Sequence, residues 1–300
     1  MNDFFFVTKS QTYNGEDAVY GNTLMAAQTV LDHAGISKKD LIGVGVAAPG
    51  PLDYRTGVIL DVPLMGWHNF PLGPRLAAEF QVPVRLDNDG NLGALAEQRV
   101  GVARGMQNVL YMTVSTGCGG GIVQNGELYR GHSGSAGEFG HMTVNYHGLA
   151  CGCGGSGCFE LYASGTAMNR RMKRDMESGI KCITFEDMDY DPAKINGKIL
   201  DAAAEKGDDY AIGLFRQEGY YLGVGLANLF NLFDPDVFVL GGGVTKSHKW
   251  FHETMMREIT RHACLPVTED RVRYSQLNDK VVIYGAYCMI KEFIEKLGTD

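Results

Sequence analysis

Gly137–Glu160 reads GEFGHMTVNYHGLACGCGGSGCFE, a glycine-rich run that sets His141 and three closely spaced cysteines between two carboxylates. Cys151, Cys153 and Cys158 form a C-x-C-x4-C cluster, with His141 a loop's length upstream. Three thiolates and one imidazole make a closed four-ligand set, the usual composition of a structural zinc site rather than a catalytic one. Inert buried thiols are the competing reading, but these cysteines lie in a glycine loop rather than in an apolar segment. Zinc binding is worth about 10–16 kcal/mol in small sites, enough to fix a floppy loop. Folding this loop around a metal would draw Glu138, His141 and Glu160 into one neighbourhood.

A second constellation stands upstream. Leu86–Glu97 reads LDNDGNLGALAE, in which a strand delivers Asp87, Asn88 and Asp89 to a helix N-terminus. Capping explains one such residue and stabilises by about 1 kcal/mol, yet three polar residues are consecutive. A carboxylate at a strand's end can also take a proton from a substrate hydroxyl, a role worth about 10²–10⁴ in rate. Both readings stay open on these residues alone. Two glycine runs, Thr116–Gly121 and Gly241–Gly243, each follow a strand-like apolar run. Neither is a Walker A loop or a G-x-G-x-x-G fingerprint. Each is either a tight turn or a place where backbone N–H groups approach phosphate.

The surrounding pattern is α/β. Strands are expected at Phe4–Thr8, Leu41–Ala48, Val82–Leu86, Asn108–Ser115 and Val237–Leu240, with a further one at Val281–Ile283. Helical spacing marks Leu24–Ala34, Asn91–Val100, Leu161–Met176 and Ile199–Glu205. It also marks Asp209–Phe230, Trp250–Ala263 and Tyr284–Leu297, while Cys182–Ala193 reads as an acidic loop. Strand, glycine turn and helix recur in both halves, which favours ligands at the carboxyl ends of strands.

Composition narrows the function classes. The formal charge of −8 argues against nucleic acid as a partner, since phosphate backbones need a concentrated basic surface. The basic cluster at Arg170–Arg174 reads as a solvated helix face. No apolar run is long enough to span a bilayer, and MNDFFFVTKS lacks the features of a signal peptide, so the chain reads as cytoplasmic. Seven cysteines, three of them in the metal-type cluster, argue against a disulfide framework. His33, His68, His132, His147, His248, His252 and His262 show no ligand spacing and read as surface or satisfied core residues.

With these residues in hand, the chain resembles the ROK family of sugar kinases and repressors, within the actin/hexokinase-like fold. The resemblance rests on Gly137–His141 with Cys151, Cys153, Cys158 and Glu160, on LDNDGNLGALAE and on TGCGGGIV. GVAAPGPLDYRTG and LGGGV extend it from about Leu41 almost to the C-terminus. It implies an α/β architecture of two ribonuclease H-like halves. Residues 1–106, joined by the C-terminal helix 285–300, would form a smaller domain, and residues 107–284 a larger one holding the zinc loop. It implies ATP and magnesium as co-substrates, a hexose or N-acylhexosamine as acceptor, structural zinc, and a homodimer or homotetramer. Glucose is the first acceptor implied and N-acetylmannosamine the next.

Residue by residue, the resemblance makes Asp89 the general base, Asn88 a hydroxyl hydrogen-bonder, and Glu138 and Glu160 hydroxyl acceptors. His141 would both ligate zinc and touch the sugar, with Cys151, Cys153 and Cys158 completing the site. Gly50 falls in the loop that closes over the sugar. Thr116, Gly117 and Gly119 match the phosphate-contacting turn, and Gly241 with Gly242 the adenosine turn. Two departures stand out. Family kinases begin with a β-hairpin bearing an Asp-x-Gly-Gly-Thr-like turn, whereas Met1–Thr8 aligns with the strand after it. That departure implies a rival reading, a sugar-binding protein without catalysis. The other departure is Pro63–Leu64–Met65, where many glucose-type relatives carry Asn after the Pro. A repressor would need a helix-turn-helix ahead of the sugar domain, and none is read.

Overall fold

The protein was analysed as a computed structural model that describes residues 4–60, 62 and 66–298; Pro63–Leu64–Met65 lies outside them. In chain order, helix α1 (Glu16–Ala34) leads into strand β1 (Val44–Ala48) and the short hairpin β2 (Leu52–Asp53) and β3 (Val58–Ile59). Helix α2 (Leu72–Phe80), strand β4 (Val84–Asn88) and helix α3 (Asp89–Arg99) follow. Next come β5 (Val109–Val114), β6 (Cys118–Gln124) and β7 (Glu127–Leu128). After the cysteine-rich loop stand four helices, α4 (Gly165–Glu177), α5 (Ile183–Glu186), α6 (Gly197–Glu205) and α7 (Asp209–Phe233). The chain closes with β8 (Val237–Gly241), α8 (His252–His262), β9 (Val272–Tyr274) and α9 (Val281–Leu297).

Among the described residues, β1 and β4 form a parallel pair, and five strands form a mixed sheet in the order β7-β6-β5-β8-β9. Alternation along β5 explains why that sheet is covered on both faces. Leu110, Met112 and Val114 join Phe238 and Leu240 of β8 in a core shared with Phe159, Phe215 and Leu222. Val109 and Tyr111 point the other way, into a cluster with Ala94 and Ala96 of α3 and Val281 of α9. A separate core of Trp67, Phe70, Leu76, Phe80 and Leu86 lies between α2 and the β1–β4 pair. Each such side chain contributes about 1.5–3 kcal/mol when fully buried.

Helix α3 sits where these layers meet, and glycine sets how closely it approaches. A Cβ on Gly90 would fall 2.1 Å from the Gly120 carbonyl oxygen, and one on Gly121 would fall 2.3 Å from the Gly90 carbonyl. On the helix's other side a Cβ on Gly285 of α9 would lie 1.9 Å from the Leu92 carbonyl. Backbone therefore packs on backbone, and Asn88–Asp89 at the helix start is pressed against β6. Among the described residues no helix is long and apolar enough to cross a membrane.

Several expected elements differ. Thr116–Gly121, read as a turn, is largely strand. Cys118–Gly121 pairs with Tyr111–Val114, and the bend is confined to Ser115–Gly117. Its glycines serve the close approach of α3 rather than chain reversal. Phe4–Thr8 is not a strand: no described edge pairs with it, and Val7 is 91% exposed. Aromatic and β-branched residues favour strands through their packing partners, which this segment lacks. Val281–Ile283 is the first turn of α9, because the burial of Val281, Gly285 and Cys288–Ile290 follows a helical stripe. Within Cys182–Ala193, α5 forms because Asp208 accepts from Thr184 N at 2.7 Å and Thr184 Oγ1 at 2.6 Å.

Replacing Gly90 by Ala should therefore destabilise by about 1–3 kcal/mol, since neither backbone can yield. Gly213→Ala in α7, where nothing lies within 4 Å of the new methyl, should be neutral or stabilising. Urea unfolding of the two variants measures the contrast.

Candidate active site

The Asp87–Asn88–Asp89 turn divides its labour. Asn88 is the N-cap of α3, its Oδ1 accepting from Gly90 N at 2.8 Å. Its Nδ2 looks toward Gly50, lying 3.4 Å from where a Cβ there would sit. Asp87 is 1% exposed and points the opposite way, accepting from Asn91 Nδ2 at 2.9 Å and Arg130 Nε at 2.7 Å. That leaves Asp89, whose carboxylate accepts from Gly90 N at 2.8 Å and from its own amide but from no side chain among the described contacts. It opens to the cleft, yet the protein packed around it strips enough hydration to lift its pKa above the ordinary aspartate range. Capping thus falls on Asn88, and Asp89 is left facing the cavity.

Glu138 and Glu160 approach from the cysteine-rich loop, each fixed by a neighbouring phenylalanine. Phe139 packs against Phe238 with ring centroids 6.3 Å apart. Phe159 is fully buried, and its N–H donates to Met142 O at 2.8 Å. Gly225 of α7 leaves room for the Phe159 ring, whose nearest atom lies 2.4 Å from where a Cβ would stand. Burial lifts the Glu138 pKa, helped by the negative charges of Asp89 and Glu160 and opposed by His141. Glu138, Glu160 and His141, expected from the loop to come together, therefore act on one another, and Asp89 joins them from α3. The Glu160 carboxylate also lies over Gly117, its Oε2 2.6 Å from where a side chain there would begin.

His141, Cys151, Cys153 and Cys158 bring four ligand atoms within 4.8 Å of one another. Cys153 Sγ and Cys158 Sγ are 3.6 Å apart, and Cys151 Sγ lies 3.8 Å from His141 Nδ1. A tetrahedron with metal–sulfur bonds near 2.3 Å has edges of about 3.8 Å. A disulfide would need about 2.0 Å, and all seven cysteines are free. Donor set and spacing both fit zinc. Behind the loop, Tyr162 Oη accepts from Leu149 N at 2.9 Å, and its carbonyl accepts from Arg171 Nη2.

Two adjoining cavities extend from Asp89 across the larger sheet. One, about 520 Å³, is lined by Asp89, Thr113, Gly241, Gly242 and Gly243. The other, about 980 Å³, is lined by Thr116, Thr166, Asn169, Lys198 and Asp201. They share Ser115, Gly243 and Lys246. Thr116, Gly241 and Gly242 are thus brought to the cavities, whereas Gly117 abuts Glu160 and Gly119 lies inside β6 against Thr113. Residues missed from sequence are Lys198 and Lys246, and also His248, whose ring stacks 4.2 Å from Tyr274 in the smaller cavity. No motif marks them, because Lys198 comes from α6 and Lys246 with His248 from the 3-10 segment Val244–Trp250.

The strand order, the covered mixed sheet and a ligand cleft at strand ends define an α/β protein of the actin/hexokinase-like class. Residues 7–293 match the model of the ROK family, and the chain belongs to that family. It is 37% identical over 267 residues to a glucokinase of Halalkalibacterium halodurans, spanning 85% of this chain and 78% of that one. It is 33% identical to a putative xylose repressor of Caldicellulosiruptor sp., covering 85% of this chain but only 63% of the repressor. The structure superposes with a TM-score of 0.79 on the ROK family glucokinase from Streptomyces griseus in complex with glucose and AMPPNP. Identity there is 31%, with 92% of this chain and 88% of the other covered.

Because Arg130 is the charged partner of a buried Asp87, Arg130→Met should cost about 1–3 kcal/mol by leaving that carboxylate short of a donor. Denaturant unfolding reads the loss. An unchanged midpoint would show that Asn91 and the Asn88 amide suffice.

Proposed function

We propose that the chain transfers the γ-phosphoryl group of ATP to a hydroxyl of a hexose or N-acylhexosamine, with glucose the first candidate and N-acetylmannosamine the next. The observation that carries this is the place of Asp89. It lies close enough to Glu138 for its charge to act on that carboxylate, which Glu160 and His141 also influence, and it lines the Gly241–Gly243 cavity. Likeness to proteins named glucokinases supports the same reading. In it, Glu138, Glu160 and His141 accept from or orient ring hydroxyls, Asn88 Nδ2 donates to a neighbouring one, and the Gly50 loop closes over the ring. Asp89 takes the proton of the reacting hydroxyl as that oxygen bonds the γ-phosphorus. The bond to the bridging oxygen breaks, and ADP leaves with both electrons. Thr116, which lines the larger cavity, would meet the phosphates, and Gly241 and Gly242 the adenosine, with the nucleotide entering as its magnesium complex; Gly117 and Gly119 stand outside both cavities and would act only by shaping the turn. Positioning and charge stabilisation supply most of the rate in such transfers. The cleft would lie between residues 1–106, joined by the C-terminal segment 285–300, and residues 107–284.

The base must be ionised to act. Its lifted pKa therefore places the acid limb of kcat/KM above the ordinary aspartate range near 3.8, with activity falling as pH drops through it. Asp89→Asn should lower kcat by about 10²–10⁴ while the sugar still binds. Coupled ADP-release assays over a sugar panel check both expectations. Turnover of the variant near the wild-type rate would remove Asp89 from the role.

Likeness to a putative xylose repressor favours a second reading, sugar binding without transfer. Thermal shift separates the two, since a ligand that binds only the native state raises the midpoint. Sugar raising it while Mg-ATP does nothing would favour the second.

Zinc would be structural, held by His141, Cys151, Cys153 and Cys158, and would keep His141 and Glu160 facing the cleft. Elemental analysis should find about one zinc per chain. Cys153→Ser should lower both metal content and sugar affinity. Metal-free protein with unchanged thermal midpoint and sugar binding would refute this.

A further inference from the structure

A cavity of about 370 Å³ opens behind the Asp87–Asp89 turn, away from the cleft, between β4, the C-terminal part of α3, β7 and α9. Its charge is unlike that of the rest of the chain. Arg55, Arg85, Arg99, Arg130 and Lys296 line it. Against them stand the carboxylates Asp87, Glu127 and Glu292. The wall is therefore formally positive by two in a protein of net charge −8.

Pairing inside the cavity is uneven. Asp87 is taken by Arg130 and Glu292 by Arg99. Among the described residues no carboxylate pairs with Arg85, whereas the Arg55 charge is shared with Asp53, whose carboxylate also accepts from the Arg55 amide at 3.0 Å. The Arg85 guanidinium carbon lies over the Phe293 ring, 3.7 Å from its centroid, and those of Arg55 and Arg130 lie over Tyr54 at 5.0 and 4.7 Å. Stacking holds planar guanidinium groups in place without using their N–H donors, so their forks are presented ready-made and less entropy is lost when an anion arrives. The floor is apolar, from Leu95, Leu128 and Met289.

We infer that this cavity is a second ligand site, separate from the cleft, that takes the phosphomonoester of a small carbohydrate or polyol. The phosphate meets Arg85 and Arg55 and shares Arg130 with Asp87. The rest of the ligand rests on the apolar floor. The volume lies at the small end of the range for organic-ligand pockets and exceeds what a bare phosphate fills. The inference stands on these residues whether or not the cleft transfers phosphate.

Isothermal titration of the full chain with glucose 6-phosphate tests it, with glucose and inorganic phosphate as separate arms. Wild-type protein should bind the ester, and Arg85→Gln and Arg55→Gln should each weaken it about tenfold or more, the usual scale of a lost charged hydrogen bond. Asp89→Asn and Glu138→Gln, which alter the cleft, should leave that binding unchanged. If the cleft also takes the ester, wild type shows two sites and Arg85→Gln loses one of them. Thermal midpoints confirm that the variants fold, and Arg55→Gln, at an exposed position, serves should Arg85→Gln fail to. Absence of binding to wild type would overturn the proposal, as would binding lost in the cleft variants but kept in both arginine variants. Inorganic phosphate binding as tightly as the ester would overturn the carbohydrate part.

Discussion

Backbone contact between α3 and β6 is the constraint on which the rest of this structure depends. Gly90, Gly120 and Gly121 allow a helix N-terminus and a strand to touch without side chains between them. Gly137 closes on the same peptide from the cysteine-rich loop, a Cβ there falling 2.8 Å from the Gly120 carbonyl. Asp89 follows the cap residue of that helix start, and Glu138 follows Gly137. One crossing of glycines therefore sets the separation of two carboxylates that lie about fifty residues apart in the chain. Any pair of larger residues would push the two sides of the cleft apart by roughly the width of a side chain.

The same turn faces two ways. Asp87 and Asp89 flank the capping Asn88, and the pleat of β4 sends the first of them behind the cleft and the helix start leaves the second in front of it. Behind, Arg130 neutralises Asp87. In front, Asp89 meets no cation among the described contacts, and the charges of Asp89 and Glu160 both act on Glu138, so that side of the cleft is acidic. A neutral polyol suits such a place better than an anion does. The positive groups Lys198 and Lys246 stand further along, in the cavities where a nucleotide's phosphates would have to lie.

What could be read from the sequence follows from how local each feature is. The four metal-type ligands fall within eighteen residues, so spacing alone exposed them, and the structure brings their donor atoms together. The Asp87–Asp89 turn was legible as a polar cluster at a strand end, although which residue caps and which is left over required the contacts. Thr116–Gly121 was misread because its glycines answer to α3 and Gly137, segments that no local window contains. Phe4–Thr8 has the composition of a strand but no described edge to join. Lys246, His248 and Tyr274 carry no signal of their own. They matter only because the 3-10 segment Val244–Trp250 and β9 bring them to one cavity wall.

The most direct measurement is a crystal structure of the protein with glucose. The account predicts one ring in the cleft, with a single hydroxyl about 2.6–3.2 Å from the Asp89 carboxylate and directed toward the Gly241–Gly243 cavity. Glu138, Glu160 and His141 would contact the other hydroxyls of that ring. A sugar bound away from Asp89, or one bound there with no hydroxyl facing that cavity, would contradict it.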